Sequence, residues 1–195
     1  MEYSVSTLKT NTIQAATGTT LNITNGHKLI GAAGAISVPG SIIQTQSMTL
    51  TSATTASSNS YTDSGLTLDI TPTSATSKIL ITGFVSLGSD YFKNYMKVLR
   101  DGSDLAVGDE AGTRERVFAS VLPADTAWDS YGVQSVPINL LDSPNTTSSV
   151  NYKVQFKCYR GTSGTATVNR SYSDRNSSGY DERTISVLTL QEIAA

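Results

Sequence analysis

From Val150 to Cys158 apolar and polar residues alternate without a break. Val150, Tyr152, Val154, Phe156 and Cys158 fall on one side, and Asn151, Lys153, Gln155 and Lys157 on the other. A strand presents successive side chains to opposite faces, so this period of two predicts a half-buried β-strand. Phe156 and the Cys158 thiol should turn inward and Lys157 outward. Leu66, Leu68 and Ile70 alternate with Thr67, Asp69 and Thr71 in the same way, and Pro72, which lacks an N–H donor, ends that run. Val136, Ile138 and Leu140 repeat the spacing, with Pro137 between them pointing to a sheet edge or a bulge. Two runs depart from this pattern by being apolar on both faces, Lys78–Leu87 and Thr184–Ile193. Such strands are expected in the middle of a sandwich or beneath a neighbouring subunit.

Weaker signals complete the pattern. Ile42–Leu50, Tyr95–Leu99, Asp104–Val107, Arg116–Leu122 and Thr165–Asn169 read as strands, and Thr51–Ser60 as a polar loop. Asp101-Gly102 is a hairpin-turn dipeptide, and glycine and serine over 160–164 mark a second hairpin. No stretch longer than about ten residues repeats at helical spacing. Eight or nine strands after residue 40 are more than one open sheet usually holds. The expected fold class is therefore mainly β: a jelly-roll-like antiparallel β-sandwich over residues 39–195.

The first 38 residues differ. Their apolar side chains are sparse (Val5, Leu8, Ile13, Leu21, Ile23, Leu29, Ile30), and Glu2, Lys9 and Lys28 are their only full charges. Too few large side chains are present to repay the ordering of a separate globule. Residues 1–38 are therefore expected to form a short extended stem or attachment segment, stabilised by neighbouring chains and ending in the small-residue linker Gly31-Ala32-Ala33-Gly34-Ala35. That glycine-rich stretch lacks the Gly-Lys-Ser/Thr ending of a phosphate loop.

Composition narrows the function. Serine and threonine take 54 of 195 positions while charged residues reach only 15%, against about 25% in an average domain. The surface is then covered by hydroxyls, which suit exposed strand faces. A net charge of -2 gives no electrostatic case for a nucleic-acid partner. No run approaches the twenty or so apolar residues that span a bilayer, so membrane insertion is not expected. Met1-Glu2-Tyr3-Ser4 opens no signal-peptide pattern.

Little here can exchange protons or activate a nucleophile. His27 is the single histidine and Cys158 the single cysteine, so no Ser-His or Cys-His pair, multi-histidine metal site or internal disulfide is available within one chain. Asp109-Glu110 and Asp181-Glu182 are sequential neighbours, not the spaced facing pair that glycoside hydrolysis requires. The chain is expected to have no enzymatic activity, no cofactor and no metal. Binding is the stronger candidate. Tyr91, Phe92 and Tyr95 cluster before the first hairpin, and Trp128 and Tyr131 share one connection. Tyr172 and Tyr180 bracket a polar loop of Asp174, Arg175, Asn176, Ser177 and Ser178. These rings are candidates for surface recognition of a sugar or a protein. The alternative is that they cap the sandwich or fill a subunit interface.

Four phrases carry a resemblance. They are Ser6-Thr7-Leu8-Lys9-Thr10-Asn11-Thr12-Ile13-Gln14 with Thr17-Gly18-Thr19-Thr20-Leu21-Asn22-Ile23; Pro39-Gly40-Ser41-Ile42-Ile43-Gln44; Thr62–Ser74 leading through Ser77-Lys78-Ile79-Leu80-Ile81; and the ending Thr184–Ala195. With these phrases in this order, the chain resembles small structural and fibre-like proteins of tailed bacteriophages, as in phages of marine and cyanobacterial hosts. The resemblance implies a homotrimer with a thin stem and a C-terminal jelly-roll head. It also implies a place in the virion, assembled in the host cytoplasm. Other virion proteins would be held through the N-terminal segment (Val5, Leu8, Ile13, Leu21, Ile23), and a glycan or protein of the host surface would be a further partner. It carries over no catalytic residues. A capsid decoration protein and a non-viral carbohydrate-binding sandwich are the alternatives.

Overall fold

The computed structural model of the protein describes residues 38–90, 93–121, 132–159 and 164–195. Residues 1–37 of the expected stem, His27 among them, lie outside these. The described part is all-β, with two antiparallel sheets stacked as a sandwich. Among the described residues no helix is long and apolar enough to cross a membrane.

Sheet A contains β1 (Ile42–Leu50), β2 (Thr54–Ala56), β4 (Lys78–Ser89), β8 (Val133–Asp142), β10 (Ala166–Val168) and β11 (Ser186–Ile193). Sheet B contains β3 (Thr62–Ile70), β5 (Asn94–Arg100), β6 (Ser103–Leu105), β7 (Ala119–Val121) and β9 (Val150–Cys158). Several short strands share one lane. β11 and β10 lie along the same edge of β4, at Lys78–Phe84 and Leu87–Ser89, and β1 and β2 lie beyond them. β6 and β7 likewise share the free edge of β5. Numbered along the chain, the lanes run 1-8-3-6 in sheet A and 2-7-4-5 in sheet B. That order is the double Greek key of a jelly roll.

The alternation in β9 places Val150, Tyr152, Val154, Phe156 and Cys158 fully in the core. Leu66 and Ile70 of β3, Ile79, Ile81 and Val85 of β4, and Leu188 and Leu190 of β11 meet them there. Arg100 pairs with Ser103 around Asp101 and Gly102, both at positive φ, so the expected Asp-Gly hairpin closes as a two-residue turn. Pro137 lies on β8, which among the described residues pairs with β4 alone and is an edge. An edge strand is where a sheet accommodates a residue without an N–H donor.

Three expectations need revision. Thr54–Ala56, read as loop, is a strand, because β10 supplies its partners across more than a hundred residues. The strand expected over Arg116–Leu122 begins only at Ala119. The second face of β11 is not buried within the chain, since Ile185 is exposed and Val187 only half-buried.

Two buried carboxylates tie distant elements together. Asp142 at the end of β8 accepts hydrogen bonds from the Tyr152 hydroxyl at 2.7 Å and from Arg100 Nη1 at 2.8 and 2.9 Å, so it clasps sheet A to sheet B. Burial, reinforced by the hydrogen bond to Asp142, pushes the Tyr152 phenol far up, so the ring keeps its proton as donor. Tyr152→Phe removes a bond to a charged acceptor and should cost about 1.5–3 kcal/mol in denaturant unfolding.

Glu192 has no exposed surface. It accepts from Gln44 Nε2 at 2.7 Å and from the Thr73 amide and hydroxyl, each at 2.8 Å. Burial pushes its carboxyl upward, but the bonds from Gln44 and Thr73 outweigh this and hold it below the ordinary value of 4.5. A carboxylate lowered on folding stabilises fully above its unfolded pKa, and that stabilisation is lost as pH falls through the folded value. Wild-type stability should therefore fall below about pH 4.5. In Glu192→Gln the loss should be shallower, as read from denaturation midpoints at about pH 7 and pH 3.5.

Candidate functional site

The two outer faces of the sandwich are chemically unlike. On sheet A, strand register aligns three rows across four lanes. They are Thr49, Val187, Phe84 and Pro137; Ser47, Thr189, Thr82 and Asn139; and Thr45, Gln191, Leu80 and Leu141. None of these twelve residues is charged. Leu80 and Phe84 are half-buried, while Leu141 is 58% exposed.

Sheet B presents the opposite character. Lys153 pairs with Asp63 at 3.0 Å, Lys97 with Asp104 at 2.6 Å and Lys157 with Glu115 at 2.9 Å. Tyr61, just before β3, lies under two ammonium groups, those of Lys97 and Lys157, each 4.6 Å from the ring centroid. The Tyr61 hydroxyl donates to Glu115 at 3.2 Å. Burial, followed by the charge of Glu115, pushes the Tyr61 phenol well up, so it remains neutral and a donor. The hydrogen bond from Lys157 holds the Glu115 carboxyl below its usual range.

Beside this cluster the sheet opens into a cleft of about 680 Å³ lined by Asn59, Lys93, Tyr95, Arg114, Lys157 and Tyr159, with Thr113 and Glu115 completing it. Tyr95 and Tyr159 meet edge to face, with centroids 6.1 Å apart and planes at 81°. Lys157 also stands 5.7 Å from the Tyr95 centroid. Tyr159 is 57% exposed, so its ring forms an open wall. Arg114 is oriented by donating from Nη1 to the Ala111 carbonyl at 3.0 Å.

A second, smaller cavity of about 300 Å³ lies in the connection from β10 to β11 and is lined by Asp174, Arg175, Asn176, Ser177, Ser178 and neighbouring charged residues. Asp181 braces this connection. It accepts from Ser171 at 2.7 Å, from the Ser173 hydroxyl and from Arg175 at 3.1 Å. Burial pushes its carboxyl up, but those donors together outweigh this and lower it to about 2. Arg175 covers the Tyr180 ring at 5.1 Å, and Arg183 pairs with Asp174 at 2.5 Å. The donors and acids of this cavity therefore largely satisfy one another.

Of the rings singled out in the sequence, Tyr95 lines the larger cleft, while Tyr172 and Tyr180 are exposed in the β10–β11 connection. Tyr91, Phe92, Trp128 and Tyr131 lie outside the described residues. Tyr159 and Tyr61 were missed. Tyr159 could have been found, because it prolongs the outward set Asn151–Lys157 by one step. Tyr61 sits in a polar run with no periodic signal. Among the described residues no group of three or more His, Cys, Asp or Glu side chains converges as metal ligands would.

No family model matches the chain, and no curated protein sequence matches it. Among solved structures, that of infectious bursal disease virus Gx strain is similar over 87% of this chain, with a TM-score of 0.38 and 11% identity. The crystal structure of the infectious bursal disease virus VP2 subviral particle is similar over 79%, with a TM-score of 0.30 and 12% identity. The chain spans 42% of the length of each of those chains. At this level the likeness is one of general fold and assigns neither a family nor a role.

Proposed function

We propose that the chain is a structural subunit of a bacteriophage particle, a short fibre or appendage that assembles as a homotrimer through the outer face of sheet A. The observation that carries this reading is the twelve-residue uncharged lattice on that face. Identical copies meeting there strand no buried ions and repel no like charges, and desolvating Leu80, Phe84, Val187 and Leu141 favours contact. Hydroxyls and amides between them can pair across the interface. The jelly-roll order and the phage-like phrases of the sequence agree with this role. Residues 1–38 would hold other virion proteins, leaving sheet B outward. No catalytic step belongs to this role.

Light scattering on the purified full chain should give a mass near three times 20.6 kDa. Thr82 lies in the middle row of the lattice, on β4. Thr82→Glu should dissociate the trimer while leaving the circular dichroism of the sandwich intact. Antibody to the chain should decorate intact phage particles in electron micrographs. A wild-type monomer, or a trimer indifferent to Thr82→Glu, is incompatible with this interface.

A further inference from the structure

We infer that the cleft bounded by Tyr95, Tyr159, Lys93, Arg114 and Lys157 is a binding site for an acidic saccharide. The assignment rests on the proposed role only in that sheet B must face away from partner copies. Its volume, about 680 Å³, lies in the range of small-ligand sites, roughly 300–1,000 Å³. The exposed Tyr159 ring offers a flat apolar wall, held at a fixed angle by Tyr95. A pyranose has an apolar C–H face that stacks on such a ring while its hydroxyls point away. The Asn59 amide and Thr113 hydroxyl lie on the same lining to receive them.

The charge balance selects an acid. Lys93, Arg114 and Lys157 face one carboxylate, Glu115. Glu115 is already engaged by Lys157 at 2.9 Å and by the Tyr61 hydroxyl at 3.2 Å. Among the described residues neither Lys93 nor Arg114 has an ion-pair partner. Two cations beside an aromatic wall match one sugar ring bearing one carboxylate, which a guanidinium receives through two parallel hydrogen bonds. A nucleic acid fits poorly, because Asp63, Asp69 and Asp104 stand on the same sheet and no continuous basic track follows a phosphate backbone.

Cellobiouronic acid and its neutral counterpart cellobiose differ only in a carboxylate, and so test both halves of the assignment. In calorimetric titration of the full chain, cellobiouronic acid should bind with Kd of about 0.1–1 mM and cellobiose at least about tenfold more weakly. Tyr159→Ala, which removes a largely exposed ring, should reduce binding of the acid at least about tenfold. Arg114→Gln should bring the acid down to the level of cellobiose. Equal affinity for the two sugars, no binding of the acid at about 10 mM, or binding untouched by both variants overturns the site. Light scattering on the same samples separates this from the assembly proposal. A trimer that does not bind sinks the cleft alone, and a monomer that binds supports the cleft and sinks the interface.

Discussion

Gly83→Ala should leave no stably folded protein. Gly83 lies in β4 opposite Leu188 of β11 on one side and Ile138 of β8 on the other. Its φ of 152° is a conformation that residues with a side chain rarely adopt. A Cβ built there would stand 2.0 Å from the Val187 carbonyl oxygen, 2.9 Å from its carbon and 3.1 Å from the Leu188 Cα. All three are backbone atoms of a paired strand, so no rotamer change relieves the overlap. The strands must part, which breaks the ladder between the strand that carries Ile79, Ile81, Val85 and Leu87 into the core and the one that carries Leu188 and Leu190. The expected loss is at least about 4 kcal/mol, in the tail of single substitutions. Insoluble expression, or a collapsed denaturation midpoint, is the expected result. Gly102→Ala is the control. It also has positive φ, 81°, but nothing lies within 4 Å of its added Cβ. It should cost only about 1–2 kcal/mol, the strain of the left-handed backbone. A wild-type midpoint for Gly83→Ala would show that β4 and β11 are not paired in this register.

The difference between these glycines is not legible in the sequence. Gly102 follows Asp101 in a turn signature that depends on four consecutive residues, and the hairpin forms as read. Gly83 stands inside an apolar run, and the atoms that forbid its substitution arrive from Val187 and Leu188. The same division runs through the molecule. Where pattern is local, as in β9, β3 and the edge proline of β8, the period of two placed the side chains on the right faces. Where pairing is distant, as for the three small residues of β2, no local feature announced a strand. Glu192 shares its parity with Leu188 and Leu190, which was a readable sign of an inward carboxylate. Its donors on Gln44 and Thr73 were not readable, because a strand and a turn more than a hundred residues away deliver them. The cleft was half visible for the same reason. Tyr95 stood out within an aromatic cluster, but Tyr61, Glu115 and Tyr159 join it only through the order of sheet B.

Phe156→Ala should cost about 3–5 kcal/mol, the range for a large aromatic removed from a core that does not collapse into the space. Phe156 has no exposed surface and stands in sheet B between Met96 of β5 and Thr62 of β3. β5 is paired with β9 from Asn94 to Arg100 and Thr62 holds the other side, so the walls of the cavity cannot close freely. Lys157, one residue on, points the other way. The pattern alone made it a solvated side chain, but its exposure is only 12%, and it joins Glu115 and the faces of Tyr61 and Tyr95. Lys157→Ala should therefore cost about 0.5–1 kcal/mol instead of nothing, the worth of a partly screened ion pair with its ring contact. The Cys158 thiol, fully buried beside Phe156, should react slowly with a maleimide in native protein and rapidly in denaturant. Phe156→Ala should accelerate native labelling by loosening the packing around the sulfur. Lys157→Ala should leave the labelling rate alone. Stability must be compared at one subunit concentration, because assembly adds to the apparent value. A one-residue slip of β9 would exchange these two faces. The sandwich register fails if Lys157→Ala costs more than Phe156→Ala and Cys158 labels quickly in the native state.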